Sequence, residues 1–234
     1  MASRTNHNSA MGRDFQAQIQ DPVFPCLGAK SAAAQHNLEF VAAGDLASPH
    51  VDAMIVRELQ DFARSAAIDA VFLSKLVLFP STPPLDELQF EQALWERLQA
   101  LHALDAATHD WDPGVSSDPD SPHFSMSIGG RGFYVIGLHP GSSRPARRFR
   151  CAALVFNLHS QFEALRADGR YEKLREAITE RDIAYSGSRN PMLAAHGVDS
   201  EARQYSGRRV DGAWRCPFSA QPRTTARSRS RDAT

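Results

Sequence analysis

The C-terminal half of the chain centres on residues 123–162, which read HFSMSIGGRGFYVIGLHPGSSRPARRFRCAALVFNLHSQF. Two apolar runs, at 124–128 and 133–138, flank a glycine-rich segment at 129–132. Because glycine readily takes the positive φ angles of a tight turn, this pattern predicts a β-hairpin. Pro140 has no backbone N–H and is expected to end the second strand. We therefore expect a sheet built around this hairpin.

Charged groups lie unusually close to these apolar runs. A short loop at 142–148 carries three arginines, and another apolar run follows at 152–156. Asn157, His159 and Glu163 come directly after it. Surface loops are rarely this apolar and cores rarely hold so many charges, so the combination points to a binding site.

Bulk properties restrict the class of protein. The 234 residues carry a net charge of -1 and are 42% hydrophobic, which is typical of a soluble domain and gives no sign of nucleic-acid or membrane binding. No apolar run approaches the roughly 18 residues of a membrane span, and no secretory signal is recognisable. Three cysteines, an odd number, favour a reducing cytoplasm over a disulfide framework.

The remaining patterns predict further helices and strands. Helices are expected at 29–34, 50–69, 85–104, 160–167 and 171–183, and strands at 38–41 and 71–79. The helix at 85–104 has a predicted buried stripe of Leu85, Leu88, Leu94, Leu98, Leu101 and Leu104. The expected fold is α+β, a single mixed domain whose hairpin-containing antiparallel sheet packs against helices. We assign 1–20 to a flexible tail, 21–218 to the domain and 219–234 to a disordered tail.

No common catalytic motif is present, and the cysteines are too far apart for a standard zinc cluster. His159 precedes a predicted helix, and its neutral imidazole can bind a metal or a haem iron, with Glu163 one turn later. The competing interpretation is a core histidine that bonds to the backbone. His139, at a strand end, is the alternative ligand.

Other side chains also have two interpretations. Arg144, Arg147 and Arg148 suit carboxylates or phosphates, or else form a solvated basic loop. Cys26 and Cys216 lie beside prolines and are either thiolate ligands or inert buried thiols. His196, Asp182 and Glu201 can orient a cationic substrate or serve as surface and capping groups.

Longer strings of residues resemble the YqcI/YcgG family over about residues 23–218. They are Phe24-Pro25-Cys26, Gly137-Leu138-His139-Pro140, Ser143-Arg144, Ala146-Arg147-Arg148-Phe149, Val155-Phe156-Asn157, His159, Gln161-Phe162-Glu163, Leu165-Arg166, Arg181-Asp182, Asn190-Pro191-Met192, 200–208, Trp214 and Cys216-Pro217-Phe218.

The resemblance implies a b-type haem protein that N-hydroxylates guanidino groups with O2 and an external electron donor. Members of this family act on free arginine in D-cycloserine formation and on a cyclic guanidino amino acid on the route to guanitoxin. A haem needs an apolar slot, an axial ligand and cations for its propionates. A guanidinium needs carboxylates that match its fork of N–H donors.

The predicted roles follow from these needs. His159 is the first choice of axial ligand, His139 the second and the two cysteines the third. The cofactor contacts are Arg144, Arg147, Arg148 and Phe156, and the substrate carboxylates are Glu163, Asp182 and Glu201. The partners are a small guanidino substrate and a redox partner or reductant. The alternatives are a non-catalytic haem sensor or carrier and a cofactor-free binder of small anions.

Overall fold

The structure, a computed structural model, describes residues 10–67, 69–193 and 197–223. Five strands form one sheet in the order β1-β2-β5-β4-β3. The strands are β1 Leu38–Ala42, β2 Ser74–Phe79, β3 Met126–Ile128, β4 Arg131–Leu138 and β5 Ala152–Leu158. The helices of the described part are α1 Ala10–Gln20, α2 Leu27–Ala34, α3 Asp52–Ser65, α4 Glu87–Asp105, α5 His159–Ala167, α6 Tyr171–Ser186 and α7 Ala202–Tyr205.

The predicted hairpin and the α+β class are confirmed. Strands β3 and β4 pair antiparallel, with Ile128 opposite Arg131, and Gly129 and Gly130 between them have φ angles of 62° and 70°. Strand β5 runs antiparallel to both β4 and β2. The sheet is nevertheless mixed, because β1 pairs parallel with β2. The chain makes this parallel connection through α3, as a crossover requires.

Alternation along the strands gives the sheet two buried faces. On β5, Phe156 faces the core that contains α3 and α4, whereas Val155 faces the core that contains α1 and α2. The two faces therefore have separate hydrophobic cores, and each residue step along a strand changes the core to which a side chain belongs.

Helix α4 crosses the first of these faces. It begins with a capping box in which Asp86 and Gln89 bond to each other's backbone. Leu94, Leu98 and Leu101 of the predicted stripe are fully buried, but Leu88 and Leu104 are about half exposed, so the stripe was wrong at both ends. Phe90 and Trp95 occupy the buried face instead, because it follows the 3.6-residue period more closely than the leucine spacing does.

The prediction of a flexible tail over residues 1–20 was wrong for residues 10–20. They form helix α1, and Phe15 and Ile19 are buried in the α1–α2 core. Its few apolar residues are spaced to share one face, a pattern that is too short to identify reliably in an otherwise polar segment. Near the other end, backbone N–H groups of Ser219 and Gln221 bond to α4 at 2.9 and 2.8 Å. The rest of the predicted C-terminal tail, 224–234, lies outside the described residues. In the described ranges no helix has the length and apolarity that crossing a membrane requires.

Candidate functional site

A cavity of about 360 Å³ lies between the sheet and helices α1, α2 and α6. Strand side chains Tyr134, Ile136 and Val155 form its floor. Helix α6 covers it with Tyr171, Leu174 and Ile178. Its volume is in the range of small-molecule and cofactor sites, about 300–1000 Å³.

Cys26 lies in the cavity wall at the beginning of α2. Its Sγ atom caps the helix by accepting a hydrogen bond from the Ala29 N–H at 3.4 Å. Arg181 of α6 holds the preceding segment by donating to the Phe24 carbonyl at 3.0 Å. Burial raises the pKa of the Cys26 thiol, while backbone N–H groups and the nearby Arg147 oppose that rise. Burial therefore favours the protonated thiol, and the backbone N–H groups and Arg147 are the groups that would stabilise a thiolate.

Arg147 places a positive charge beside Cys26. Its guanidinium donates to the carbonyls of Gly137, Tyr205 and Gln204 at 3.0–3.3 Å. No carboxylate of the described residues forms an ion pair with it, and burial lowers its pKa. A fixed cation that faces a cavity without an acidic partner is an anion-binding group.

Three carboxylates line the same cavity, Asp182, Asp199 and Glu201, and the hydrogen-bond partners of Asp182 and Glu201 differ. Asp182 is already bound to the guanidinium of Arg144 and accepts the hydroxyl of Ser186 at 2.9 Å. Glu201 accepts the Ser125 hydroxyl at 2.8 Å, and its nearest ring nitrogen, Nδ1 of His159, is 4.0 Å away. Burial raises the pKa of Glu201 to about 7. Glu201 is therefore more available to a cationic ligand than Asp182, which already binds an arginine.

Uncharged polar groups complete the wall. The Tyr134 hydroxyl donates to Gln204 Oε1 at 3.1 Å. Ser74 donates to Asn157 at 2.7 Å, and both side chains line the cavity on the floor of the sheet. The cavity thus combines apolar walls with a few polar groups held in place by hydrogen bonds, the usual composition of a ligand site.

Comparison with known protein families matches the part of the chain that forms the cavity. The model of the YqcI/YcgG family matches residues 15–219. The chain belongs to the YqcI/YcgG family. Searches of curated proteins and of solved structures found no match. The matched segment begins within α1 and ends at residue 219, at the first of the two described C-terminal contacts with α4, so it includes every residue that lines the cavity.

The structure of this YqcI/YcgG protein separates the predicted site residues into two groups. Arg144, Arg147, Asp182, Glu201 and, among the lower-ranked ligands, Cys26 line one cavity. The other candidates among the described residues do not line this cavity, and they lie at separate places in the fold. Their assignment as ligands or catalytic groups stays a prediction.

The two histidines lie elsewhere. His139 is buried against the ring of Phe90, 4.2 Å between centroids, and borders a separate cavity of about 90 Å³. His159 lies at the start of α5, where Nδ1 is 2.9 Å from the Ser125 hydroxyl and Nε2 is 3.2 Å from Glu163. His196 lies outside the described residues.

The remaining candidates also point away from the cavity. Arg148 is exposed and donates to the carbonyls of Ser142 and Ser143. Phe156 packs in the α3–α4 core. Glu163 is 53% exposed and pairs with Arg166. Cys216 packs against the α3–α4 core, and burial raises the pKa of its thiol to about 12.

Sequence reasoning missed several cavity residues, above all Tyr134, Gln204, Arg166 and Arg175. It also missed Ser125, which bonds to the cavity residue Glu201 from outside the lining. Tyr134 carried a signal, since it alternates with apolar residues on the predicted second strand. Ser125 carried none, because a serine beside a strand is common and its partner Glu201 is distant in the chain.

The residues present fit a haem. The cavity supplies apolar walls, Cys26 supplies a soft donor at a helix N-terminus, and Arg147 supplies a cation for a propionate or for the thiolate. Within the described ranges no cluster of three or more His, Cys, Asp and Glu side chains is arranged to hold a metal ion. A haem iron needs only one such axial donor from the protein.

Proposed function

We propose that this protein binds haem b and N-hydroxylates the guanidino group of arginine or a related small guanidino amino acid, using O2 and an external electron donor. The observation that supports this most directly is that Cys26, Arg147 and Glu201 line one cavity. Among the described residues Arg147 forms no ion pair with a carboxylate, and Glu201 accepts its hydrogen bond from the Ser125 hydroxyl. The three cavity residues are the donor, the counter-charge and the substrate clamp that the reaction requires.

We further propose Cys26 as the axial ligand, ahead of His159 and His139. Cys26 lines the cavity, whereas neither histidine is among the residues that do. A thiolate-ligated haem supplies the oxidising power, because the sulfur donates electron density that favours O–O cleavage. Helix α2 holds the sulfur by a backbone N–H bond, and Arg147 offsets its negative charge once it is ionised.

The substrate is positioned by the other end of the cavity. An ionised Glu201 accepts two N–H groups of a guanidinium, a geometry that a carboxylate and a guanidinium fork share. Arg166 and Arg175, on α5 and α6, border the cavity. Each pairs with an exposed glutamate, Glu163 or Glu172, and has further N–H donors for the amino-acid carboxylate. Asp182 keeps Arg144 in place rather than binding substrate, since the two already form an ion pair.

The test is spectroscopic. Protein expressed with a haem precursor is expected to show a Soret band that arginine shifts and that citrulline, uncharged at that end, shifts far less. With a reductant and O2 it should convert arginine to the N-hydroxy product. A haem-loaded protein without turnover would indicate the sensor or carrier alternative, and colourless protein would refute haem binding.

The ligand assignment is tested by substitution. Cys26→Ala is expected to abolish the thiolate-type ferrous–CO spectrum. Cys216→Ala, the matched control at a thiol outside the cavity, is expected to keep it. If Cys26→Ala retains the native spectrum while His159→Ala loses it and recovers part of it with added imidazole, the ligand is His159.

A further inference from the structure

Four side chains form a continuous series of polar contacts from the cavity to the surface. Glu201 Oε2 is 2.8 Å from Ser125 Oγ, Ser125 Oγ is 2.9 Å from His159 Nδ1, and His159 Nε2 is 3.2 Å from Glu163 Oε1. The proposed haem and substrate functions do not use the middle two. We propose that Ser125 and His159 form a proton-transfer route between Glu201 in the cavity wall and Glu163 at the protein surface.

The exposure of the side chains to solvent increases along the series from Ser125 to Glu163, as a route to the surface requires. Ser125 has no exposed surface, the His159 side chain is 13% exposed and the Glu163 side chain is 53% exposed. Glu201 is 16% exposed and lines the cavity. A ligand in the cavity would separate Glu201 from water on that side, whereas the Ser125 side would stay connected to solvent through the imidazole.

The donors and acceptors allow one proton to pass without leaving an unbalanced charge. Ser125 donates its single proton to Glu201, so the ring nitrogen that contacts the serine oxygen, Nδ1, carries a hydrogen in the resting state. Glu163 takes up a proton from water and, as the neutral acid, donates it across the 3.2 Å contact to the lone pair of Nε2. Nδ1–H passes its proton to Ser125 Oγ, and the serine proton passes to Glu201. One proton thereby moves from Glu163 to Glu201, and Ser125 and His159 end with the charge with which they began.

Several charged and titratable groups face Glu201 and influence the direction of transfer. From α5 these are His159, Glu163 and Arg166, from β4 Tyr134, and from its own helix Tyr205. Arg166 favours the ionised carboxylate, whereas burial and Glu163 favour the protonated one. These opposing influences place the pKa of Glu201 near neutrality, so the carboxyl can both take up and release a proton under ordinary conditions.

The route has a use under the proposed function, although it does not depend on that function. Hydroxylation consumes protons as well as electrons, since one oxygen atom of O2 leaves as water. Binding of a guanidinium to Glu201 in turn releases any proton that the carboxyl holds. Both processes need proton exchange while the cavity is occupied.

The experiment follows protonation of Glu201 directly, by time-resolved infrared spectroscopy after a rapid pH drop. The Glu201 carboxyl band is identified by its loss in Glu201→Gln. Hemin-reconstituted and haem-free protein are both measured, each variant at the same distance from its own titration midpoint. Ser125→Ala is expected to slow protonation tenfold or more. His159→Ala should do the same and recover with added imidazole, which a merely structural role would not predict.

The matched control is Ser127→Ala, at another buried serine two residues away whose Oγ accepts the Asp112 N–H at 2.9 Å. It should protonate Glu201 at the wild-type rate. Equal rates for Ser125→Ala and Ser127→Ala in both samples would overturn the route, as would absence of any Glu201 titration. If Ser125→Ala does not fold, the His159→Ala comparison decides. Failure to take up hemin would contradict the proposed function, and the haem-free comparison would still decide the route.

Discussion

Arg147 and Arg148 are neighbours in the chain with opposite surroundings. Arg147 faces the cavity, is held by three backbone carbonyls and has no acidic partner among the described residues. Arg148 is exposed and closes its own loop through the Ser142 carbonyl at 2.7 Å. Comparing substitutions at the two positions therefore separates the loss of a cation beside a bound cofactor from the general effect of removing an arginine.

Arg147→Ala is expected to weaken hemin retention strongly. Leaving a buried propionate without its cation costs about 3–5 kcal/mol, which is at least roughly a hundredfold in the dissociation constant. Arg148→Ala is expected to change it by less than about 1 kcal/mol, since exposed charges contribute little. Hemin transfer to a competing acceptor protein measures both, with unfolding curves to correct for stability. Similar losses in the two variants would contradict the placement of the propionate at Arg147.

Glu201 gives a pH dependence to stability. Burial raises its pKa from 4.5 to about 7 in the folded protein. The folded state thus holds more protons than the unfolded state between these values. The contribution of Glu201 is present below about pH 4.5 and is lost as the pH rises through about 7.

Glu201→Gln removes this effect. The free energy of unfolding of the variant, relative to wild type, is expected to increase by at most about 3 kcal/mol between about pH 4.5 and pH 8. Ser125→Ala provides the opposite case: losing the hydroxyl that lowers the Glu201 pKa should extend the pH-dependent window upward. Urea unfolding across this pH range measures both, and parallel profiles for wild type and Glu201→Gln would refute the assignment.

At the scale of elements, α4 and α7 pack unusually closely on β4. A Cβ atom at Gly137 would lie 2.7 Å from the Phe90 ring, 2.8 Å from Leu94 and 2.9 Å from the Tyr205 carbonyl. Those atoms belong to α4 and α7, and one of them is backbone that cannot move easily. The lack of a side chain at this position thus sets how near the two helices come to the sheet.

Gly137→Ala is expected to lower the free energy of unfolding by about 1–3 kcal/mol, the usual cost of overpacking. Gly212→Ala is the matched control, because a Cβ at Gly212 meets nothing within 4 Å. We expect it to change stability by less than about 1 kcal/mol. Denaturant unfolding checks both, and a neutral Gly137→Ala would show that the helices can shift away from the strand.

At the scale of the whole molecule, the two sides of the sheet differ in how they are packed. The α3–α4 side is a filled core, whereas the α1–α2 side shares its apolar surface with the cavity. Phe15 of α1 packs against Phe149 at 5.2 Å between ring centroids and also lines the cavity. Phe62 of α3 packs only in the filled core, 6.2 Å from Phe133.

Phe15→Ala and Phe62→Ala should therefore differ in function more than in stability. Each is expected to lower the free energy of unfolding by about 3–5 kcal/mol, as large-to-small core substitutions do. At a temperature where both stay folded, only Phe15→Ala is expected to lose hemin. Thermal unfolding and hemin titration make the comparison, and hemin loss in Phe62→Ala alone would contradict the division.

Local patterns in the sequence were sufficient to predict the hairpin and most helices, including the helix α6 that covers the cavity. Each depends on neighbouring residues: glycines at a turn, or apolar residues at helical spacing. Helix α1 was missed because its two buried side chains gain their stability from tertiary contacts with β1 and with the loop before β5.

Only the tertiary structure decided which candidates share the cavity. Phe156 adjoins the cavity-lining Val155 in the chain, but strand alternation turns it to the other face. His159 follows shortly after, at the start of α5, and contacts Ser125 instead. Cys26 and Arg147 meet because α2 packs across the sheet near the loop that follows β4, a contact no local pattern contains. The sequence by itself was enough to predict which residue types the site contains, because thiol, guanidinium and carboxylate side chains can be recognised one by one along the chain. Their arrangement depended on sheet register and helix packing, which act between residues far apart in the chain.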